Sequence, residues 1–265
     1  MWFLRLNMTD QSYKVEEVPE KYRQLGGRGL TSTLVYDEVD PTCHPLGPNN
    51  KLVFAPGLLT GTLAPSSSRL SAGGKSPLTG GIKESNVGSS WAPAMAKMRI
   101  KAIIVEGQPE DKSYWTVKIS LDNGKPKVEF SPADAYVGRD LYEVFPEVYE
   151  KFGDKVHLSA IGTAGEFGYG NSGIAFNDMR KEPNRYSGRG GLGAVMGSKR
   201  LKLMVLEDAG APGVEYADKE LFKEGAKKMR EALTSHAVTK PKGGLNTYGT
   251  AVLINLLNEI GRAHV

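Results

Sequence analysis

The segment GRGGLGAVMGSKR, residues 188–200, sets five glycines, two arginines and a lysine in thirteen positions. A glycine turn lets backbone N–H groups approach an anion closely, and a helix starting there adds its N-terminal dipole. Arg185 and Arg189 bracket the turn, and each guanidinium carries paired donors that match phosphate oxygens. A structural turn with solvated arginines has the same composition, and spacing alone leaves both readings open. Gly188, Gly190 and Gly193 satisfy G-x-G-x-x-G, with Glu207 at a suitable distance for a ribose contact. The preceding KEPNRYS is a polar loop rather than a buried strand, however, so the dinucleotide fingerprint lacks its context. Ser198 separates Gly197 from Lys199, which breaks the P-loop pattern.

Residues 58–90 pose the same choice. Arg69 is the only arginine there, the small residues allow close packing against a flat ligand, and Asn86 offers donor and acceptor together. Leu58, Leu59, Leu63, Leu70 and Ile82 are apolar anchors that argue against a mobile Ser-rich loop. Metal ligation by the chain itself has little material. Cys43 is the only cysteine, and His44, His157, His236 and His264 lie far apart, none at the i, i+4 spacing of a helix-borne site.

These segments need a scaffold. WFLRLNM, TDQS and YKVEEV predict an opening hairpin. PEKYRQL predicts a helix that GGRGL interrupts, and TSTLVYDEV resumes the helical pattern. KLVFAPG and KAIIVEG are short apolar runs typical of buried strands. A stretch as long as the one between them either binds something or carries strands of its own. WAPAMAKM has the length of a short helix. YWTVKIS and KPKVEFSP flank Asp-Asn-Gly as a second hairpin. DLYEVFPEVYEKFG is an amphipathic helix with Asp140 at its start and Gly153 as its stop. VHLSAIG and LKLMVLE are further strands. From EDAGAPGVEYA onward the pattern turns wholly helical, which sets a boundary near residues 208–216. Strands and helices do not alternate strictly, so the class is α+β.

Composition agrees with a folded domain: 40% apolar, 24% charged and a formal net charge of +4 over 265 residues. Lys and Arg are dispersed, which argues against a nucleic-acid partner. No apolar run is long enough to span a membrane. The lone thiol points to a reducing compartment, so a cytoplasmic protein is expected.

LGGRGL, PLGPNNKLVFAPGLLTGTLAP, KSPLTGG, KAIIVEG, AIGTAGE, FND and GRGGLGAVMGSKRLK stand here in the order seen in the tungsten-containing aldehyde:ferredoxin oxidoreductase family. The chain resembles that family nearly throughout, as far as NTYGTAVLINLLNEIG. The resemblance implies an N-terminal domain, residues 1–208, of two β-sheets packed together with flanking helices. The start of an all-helical domain follows over 217–265. It implies a bis-pterin cofactor whose sulfurs hold tungsten or molybdenum. Carried over by motif, Arg69, Asn86, Gly88, Arg185, Tyr186, Gly188 and Arg189 contact that cofactor. A Mg2+ ion bridging the two pterin phosphates takes the main-chain carbonyls of Asn86 and Tyr186.

The resemblance also implies a [4Fe–4S] cluster whose cysteines are absent from this chain, and ferredoxin or an iron–sulfur subunit as electron partner. A homodimer is compatible with it. The expected activity is oxidation of aldehydes to carboxylic acids, with this chain an inactive fragment. The alternatives are an aromatic acyl-CoA ring reductase on the same scaffold and a non-catalytic phosphate- or nucleotide-binding module. Two departures fall near the cofactor residues. SSSR replaces a common GGR before Arg69, and NRYSGRGG, after an inserted KEP, replaces RAAGRGG. IGRAHV at the end reads as a translated adapter.

Overall fold

The computed structural model describes residues 1–262; of the closing IGRAHV, residues 263–265 lie outside the described residues. Among the described residues, twelve strands form two six-stranded sheets. The first contains β1 (Trp2–Asn7), β2 (Ser12–Glu17), β3 (Leu52–Pro56), β4 (Leu70–Lys75), β5 (Ile82–Val87) and β6 (Ile100–Glu106), in the order β2-β1-β6-β3-β4-β5. The second contains β7 (Trp115–Asp122), β8 (Lys125–Pro132), β9 (His157–Ala160), β10 (Ile174–Phe176), β11 (Arg185–Ser187) and β12 (Leu201–Leu206), in the order β11-β10-β9-β12-β7-β8.

Read from opposite ends, the two orders are one topology used twice. Each half opens with an antiparallel hairpin whose first strand pairs in parallel with the half's last strand. The strand after the hairpin pairs antiparallel with that last strand and starts an antiparallel run to the sheet edge. Both parallel pairings carry a register shift at their first residues. There the Trp2 N–H donates to the Arg99 carbonyl and the Trp115 N–H to the Arg200 carbonyl, each at 2.8 Å. Arg99 (φ 59°) and Arg200 (φ 55°) both hold the left-handed backbone that the sharp re-entry into a strand requires. Arg5–Glu106 in one half answers Lys118–Glu207 in the other.

The helices repeat as well. A 3-10 turn and a twelve-residue helix follow each hairpin: α1 (Gly27–Glu38) and α3 (Leu141–Phe152). Asp140 caps α3 by accepting from the Tyr142 N–H. Phe3, Val53, Ala55, Ala102 and Ile104 face Leu30, Leu34 and Val35 of α1 in one apolar cluster. Residues alternating with these, among them Leu4, Leu6, Phe54 and Ile103, turn inward to the main core. Two short helices, α2 (Trp91–Lys97) and α5 (Leu192–Ser198), each touch strands of both sheets. Trp91 of α2 meets Phe54 of one sheet at 6.3 Å and Phe176 of the other at 5.9 Å. This edge-on aromatic group ties the sheets together. A four-residue helix, α4 (Thr163–Glu166), completes this unit.

The α+β class with packed sheets and flanking helices is the observed architecture, and three local expectations change. PEKYRQL forms only a 3-10 turn at Glu20–Tyr22, because burial of the Tyr22 ring against Phe3 (5.5 Å) fixes the chain there. GGRGL then starts α1 rather than breaking it. The polar NRYS segment contributes the short edge strand β11, where an antiparallel partner supplies the pairing that propensity does not. The long Gly/Ser segment carries β4 and β5, each pairing antiparallel with its neighbour.

The chain divides into two compact units. The one just described comprises Met1–Thr62 and Ser67–Val214, and the other joins Leu63–Ser66 with the segment from Glu215 onward. The second unit is helical: α6 (Lys219–Ser235), α7 (Gly244–Tyr248), a 3-10 turn (Gly249–Leu253) and α8 (Ile254–Arg262). Asp218 caps α6 through the Leu221 N–H at 2.9 Å. Among the described residues no helix is long and apolar enough to cross a membrane.

Candidate functional site

The edge strand of each sheet, β5 and β11, packs against the other. Where they meet, the Arg189 N–H donates to Ser85 Oγ at 3.1 Å, and Ser187 Oγ donates to the Ser85 carbonyl at 3.2 Å. Further along, Ser76 Oγ donates to the Gly190 carbonyl at 2.6 Å. These bonds join segments that lie a hundred residues apart in sequence. A cleft of about 530 Å3 opens over the junction, lined by Arg28, Glu84, Ser85, Asn86, Tyr186, Gly188 and Arg189.

The polar groups of the cleft are anchored from below. Asn86 donates from Nδ2 to Glu84 Oε2 at 3.0 Å, and its Oδ1 accepts a short bond from Ser71 Oγ on β4. Two guanidinium groups face one carboxylate, so the cleft favours an anion. Gly188 is exposed, and the nearest atom to a Cβ built on it is Tyr186 Cβ at 3.8 Å, leaving bare backbone toward the cleft. Gly88 lies beyond the end of β5 beneath Arg69, where an added Cβ would come within 3.0 Å of Nη1. Arg69 precedes β4 and Arg185 opens β11 opposite Phe176, and neither lines the cleft. Arg185 instead helps hold the Asp178 carboxyl below its ordinary range, after backbone N–H groups of Glu182 and Arg180. Asn86, Tyr186, Gly188 and Arg189 are therefore gathered in one place, with Gly88 and Arg69 adjoining the end of the same strand.

The glycine run divides by job. Gly190 and Gly191 have φ of +74° and +69°, and a Cβ on Gly191 would sit 2.0 Å from the Gly170 carbonyl. Gly193 and Gly197 bring α5 equally close to the carbonyls of Gly173 and Gly165. The idea of an anion resting on the N-terminus of α5 is thereby corrected. Residues 192–197 are buried, and the Gly193 N–H already donates to the Ser172 carbonyl at 3.1 Å. Close helix packing, not ligand approach, requires these glycines; only Gly188 opens onto the cleft.

Sequence reasoning did not single out Arg28, Glu84 or Ser85. Arg28 sat inside the quoted LGGRGL, but its place at the cleft follows from α1 packing across β4 and β5. Among the described residues no group of three His, Cys, Asp or Glu side chains comes together to hold a metal ion.

Two sheets of like topology thus meet at their edge strands beneath a cleft lined by two arginines and one glutamate. The aldehyde ferredoxin oxidoreductase N-terminal domain profile matches residues 3–208, and the chain belongs to that family. It is 38% identical over 262 residues to the tungsten-containing aldehyde ferredoxin oxidoreductases of Thermococcus kodakarensis and Pyrococcus furiosus. That alignment covers 98% of this chain and 41% of either relative. An aliphatic sulfonate oxidoreductase WOR-like subunit of Pyrococcus furiosus is 28% identical over 233 residues. Among solved structures, the active-site complex BamBC of benzoyl coenzyme A reductase, in complex with 1,5-dienoyl-CoA, superposes with a TM-score of 0.79 at 27% identity. That match covers 88% of this chain and 34% of the other. The chain thus spans about two fifths of the length of the curated relatives it matches.

Proposed function

We propose that the chain is the cofactor platform of a tungsten or molybdenum bis-pterin oxidoreductase that converts aldehydes to carboxylic acids. The observation that carries this reading is the convergence of Asn86 and Tyr186, from two edge strands, on one cleft with Arg28, Gly188 and Arg189. The residues fit such a group on chemical grounds. Guanidinium forks match phosphate oxygens, the bare Gly188 backbone admits a flat ring, and edge strands present carbonyls outside the ladder. In this reading Arg28 and Arg189 clasp the headgroup phosphates. Arg69, over Gly88, and Arg185, on β11, would add positive charge outside the cleft. The carbonyls of Asn86 and Tyr186 would hold a Mg2+ ion, in keeping with that ion's oxygen preference. When bound, the cofactor supplies the two-electron redox chemistry, and the residues of this chain supply binding, orientation and charge balance.

Residues 1–208 form the cofactor-binding domain, and 217–265 begin a helical one. With Cys43 the only thiol, a [4Fe–4S] cluster and the electron route to ferredoxin or an iron–sulfur subunit would draw on cysteines outside this chain. The lone cysteine also supports a cytoplasmic setting. Likeness to the benzoyl-CoA reductase complex favours a second reading, ring reduction of an aromatic acyl-CoA on the same platform. Measurement of tungsten, molybdenum and pterin bound to the purified protein tests the main reading. Stoichiometric metal with two pterins supports it, and a folded preparation free of both rejects it. Turnover of an aldehyde against an aromatic acyl-CoA, measured with the iron–sulfur partner present, separates the two activities.

A further inference from the structure

A polar chain that the cofactor reading does not use meets Ser90, just past the end of β5. Asn177, 4% exposed, donates from Nδ2 to Ser90 Oγ at 3.0 Å, and its Oδ1 accepts from the Leu158 N–H at 2.9 Å. Ser90 Oγ lies 2.7 Å from His157 Nδ1, and His157 Nε2 lies 3.4 Å from Asp208 Oδ1. Lys97 closes the series on Asp208 Oδ2 at 3.2 Å. One assignment of protons satisfies every contact. Asn177 donates to Ser90, the Ser90 hydroxyl donates to Nδ1, and a neutral imidazole donates from Nε2 to Asp208. Burial, opposed by the Asp208 carboxylate and assisted by Lys97, holds His157 below its usual range, which favours that neutral form.

We propose that His157 is a positioning residue for the cleft: through Ser90 it fixes the turn of residues 88–90, which carries Gly88 and follows Asn86. Trp91 anchors the far side of this turn in the core, fully buried, and β5 anchors the near side. Ser90 itself makes no side-chain cap bond to α2, because its hydroxyl is directed at His157. The doubled topology places a leucine at the position that corresponds to this histidine. Leu52 pairs with Val105 as His157 pairs with Leu206, and these partners lie six residues after Arg99 and Arg200. The first half thus fills the equivalent position with a fully buried leucine. The proposal rests on the reading of the cleft given above.

The test uses the 265-residue chain with magnesium pyrophosphate as probe. His157→Leu copies the residue of the other half, so the core is retained while the Ser90 contact is lost. Loss of one buried hydrogen bond corresponds to about fivefold in an equilibrium. Hydrogen exchange of amides 86–90 is therefore expected to quicken about fivefold, with probe affinity falling by a similar factor. Ser90→Ala matches this without adding to it, and His157→Asn, which keeps an acceptor near the Nδ1 position, restores both. Unchanged exchange at 86–90 in His157→Leu overturns the proposal, as does a rise spread evenly over the chain that His157→Asn fails to reverse. Absence of probe binding to the wild-type chain rejects the cleft reading instead, while the exchange comparison still decides the role of His157.

Discussion

Asn86 and Tyr186 occupy corresponding places on the edge strands of two sheets built alike, each two residues ahead of a glycine, and both line one cleft. Residues from opposite halves of the chain therefore meet because the strands that carry them are the last of each sheet.

Arg189 supplies charge where bare backbone faces the cleft. Arg189→Ala is expected to weaken magnesium pyrophosphate binding roughly 10- to 100-fold, the loss typical of a charge-assisted contact. Titration calorimetry reads this directly. Wild-type affinity should fall as salt is raised, and the variant should show a shallower slope.

The glycines of the 188–197 run separate in their response to a methyl group. Gly191→Ala places a Cβ 2.0 Å from a carbonyl oxygen at φ +69°, so a loss of about 3 kcal/mol or more in urea unfolding is expected. Gly188→Ala meets only Tyr186 Cβ at 3.8 Å and should change stability by about 1 kcal/mol or less while weakening pyrophosphate. Equal stability losses in the two variants contradict the division made here.

Lys199 is fully buried, and its Nζ donates to the carbonyls of Gly47 and Pro48, each at 3.1 Å. Burial lowers its pKa to about 8, well under the ordinary lysine value of 10.5. Between those values the unfolded chain binds more protons than the folded one, so stability rises with pH across that window. It is insensitive to this group below about pH 7. The difference amounts to roughly 3 kcal/mol. Unfolding of the wild type and Lys199→Met from pH 7 to 10.5 checks it: their stability difference should shift toward the wild type as pH rises.

Lys202 and Glu166 form an ion pair with side chains 0% and 6% exposed. Lys202 Nζ also donates to the Ile161 carbonyl at 2.7 Å, and Glu166 Oε2 accepts the Gly138 N–H at 2.9 Å. Burial lowers the Lys202 pKa against the pull of Glu166. Glu166→Ala leaves a buried cation without its counter-charge and is expected to cost about 3–5 kcal/mol. A double variant with Lys202→Met should recover part of that loss in the same denaturation experiment.

Much of this molecule was legible before its fold was seen. Period-two runs fixed the hairpins at Trp2–Glu17 and Trp115–Pro132, Asp140 marked the start of α3, and ordered motifs carried the family resemblance. The same residues identified Asn86, Gly188 and Arg189 as candidates, because glycine backbone and guanidinium are recognisable wherever they stand.

Three things depended on contacts between distant segments. The duplication was hidden because strand pairing sets backbone register and not side-chain type, so Leu52 and His157 can fill equivalent places. Arg28 reached the cleft only because α1 crosses the strands that Asn86 belongs to. The glycine run was ambiguous because close helix packing and ligand approach both demand a missing side chain, and neighbours such as the Gly170 carbonyl decide between them. Sequence determined which groups were available; only tertiary structure determined which of them share one space, since proximity across a hundred residues is set by sheet order.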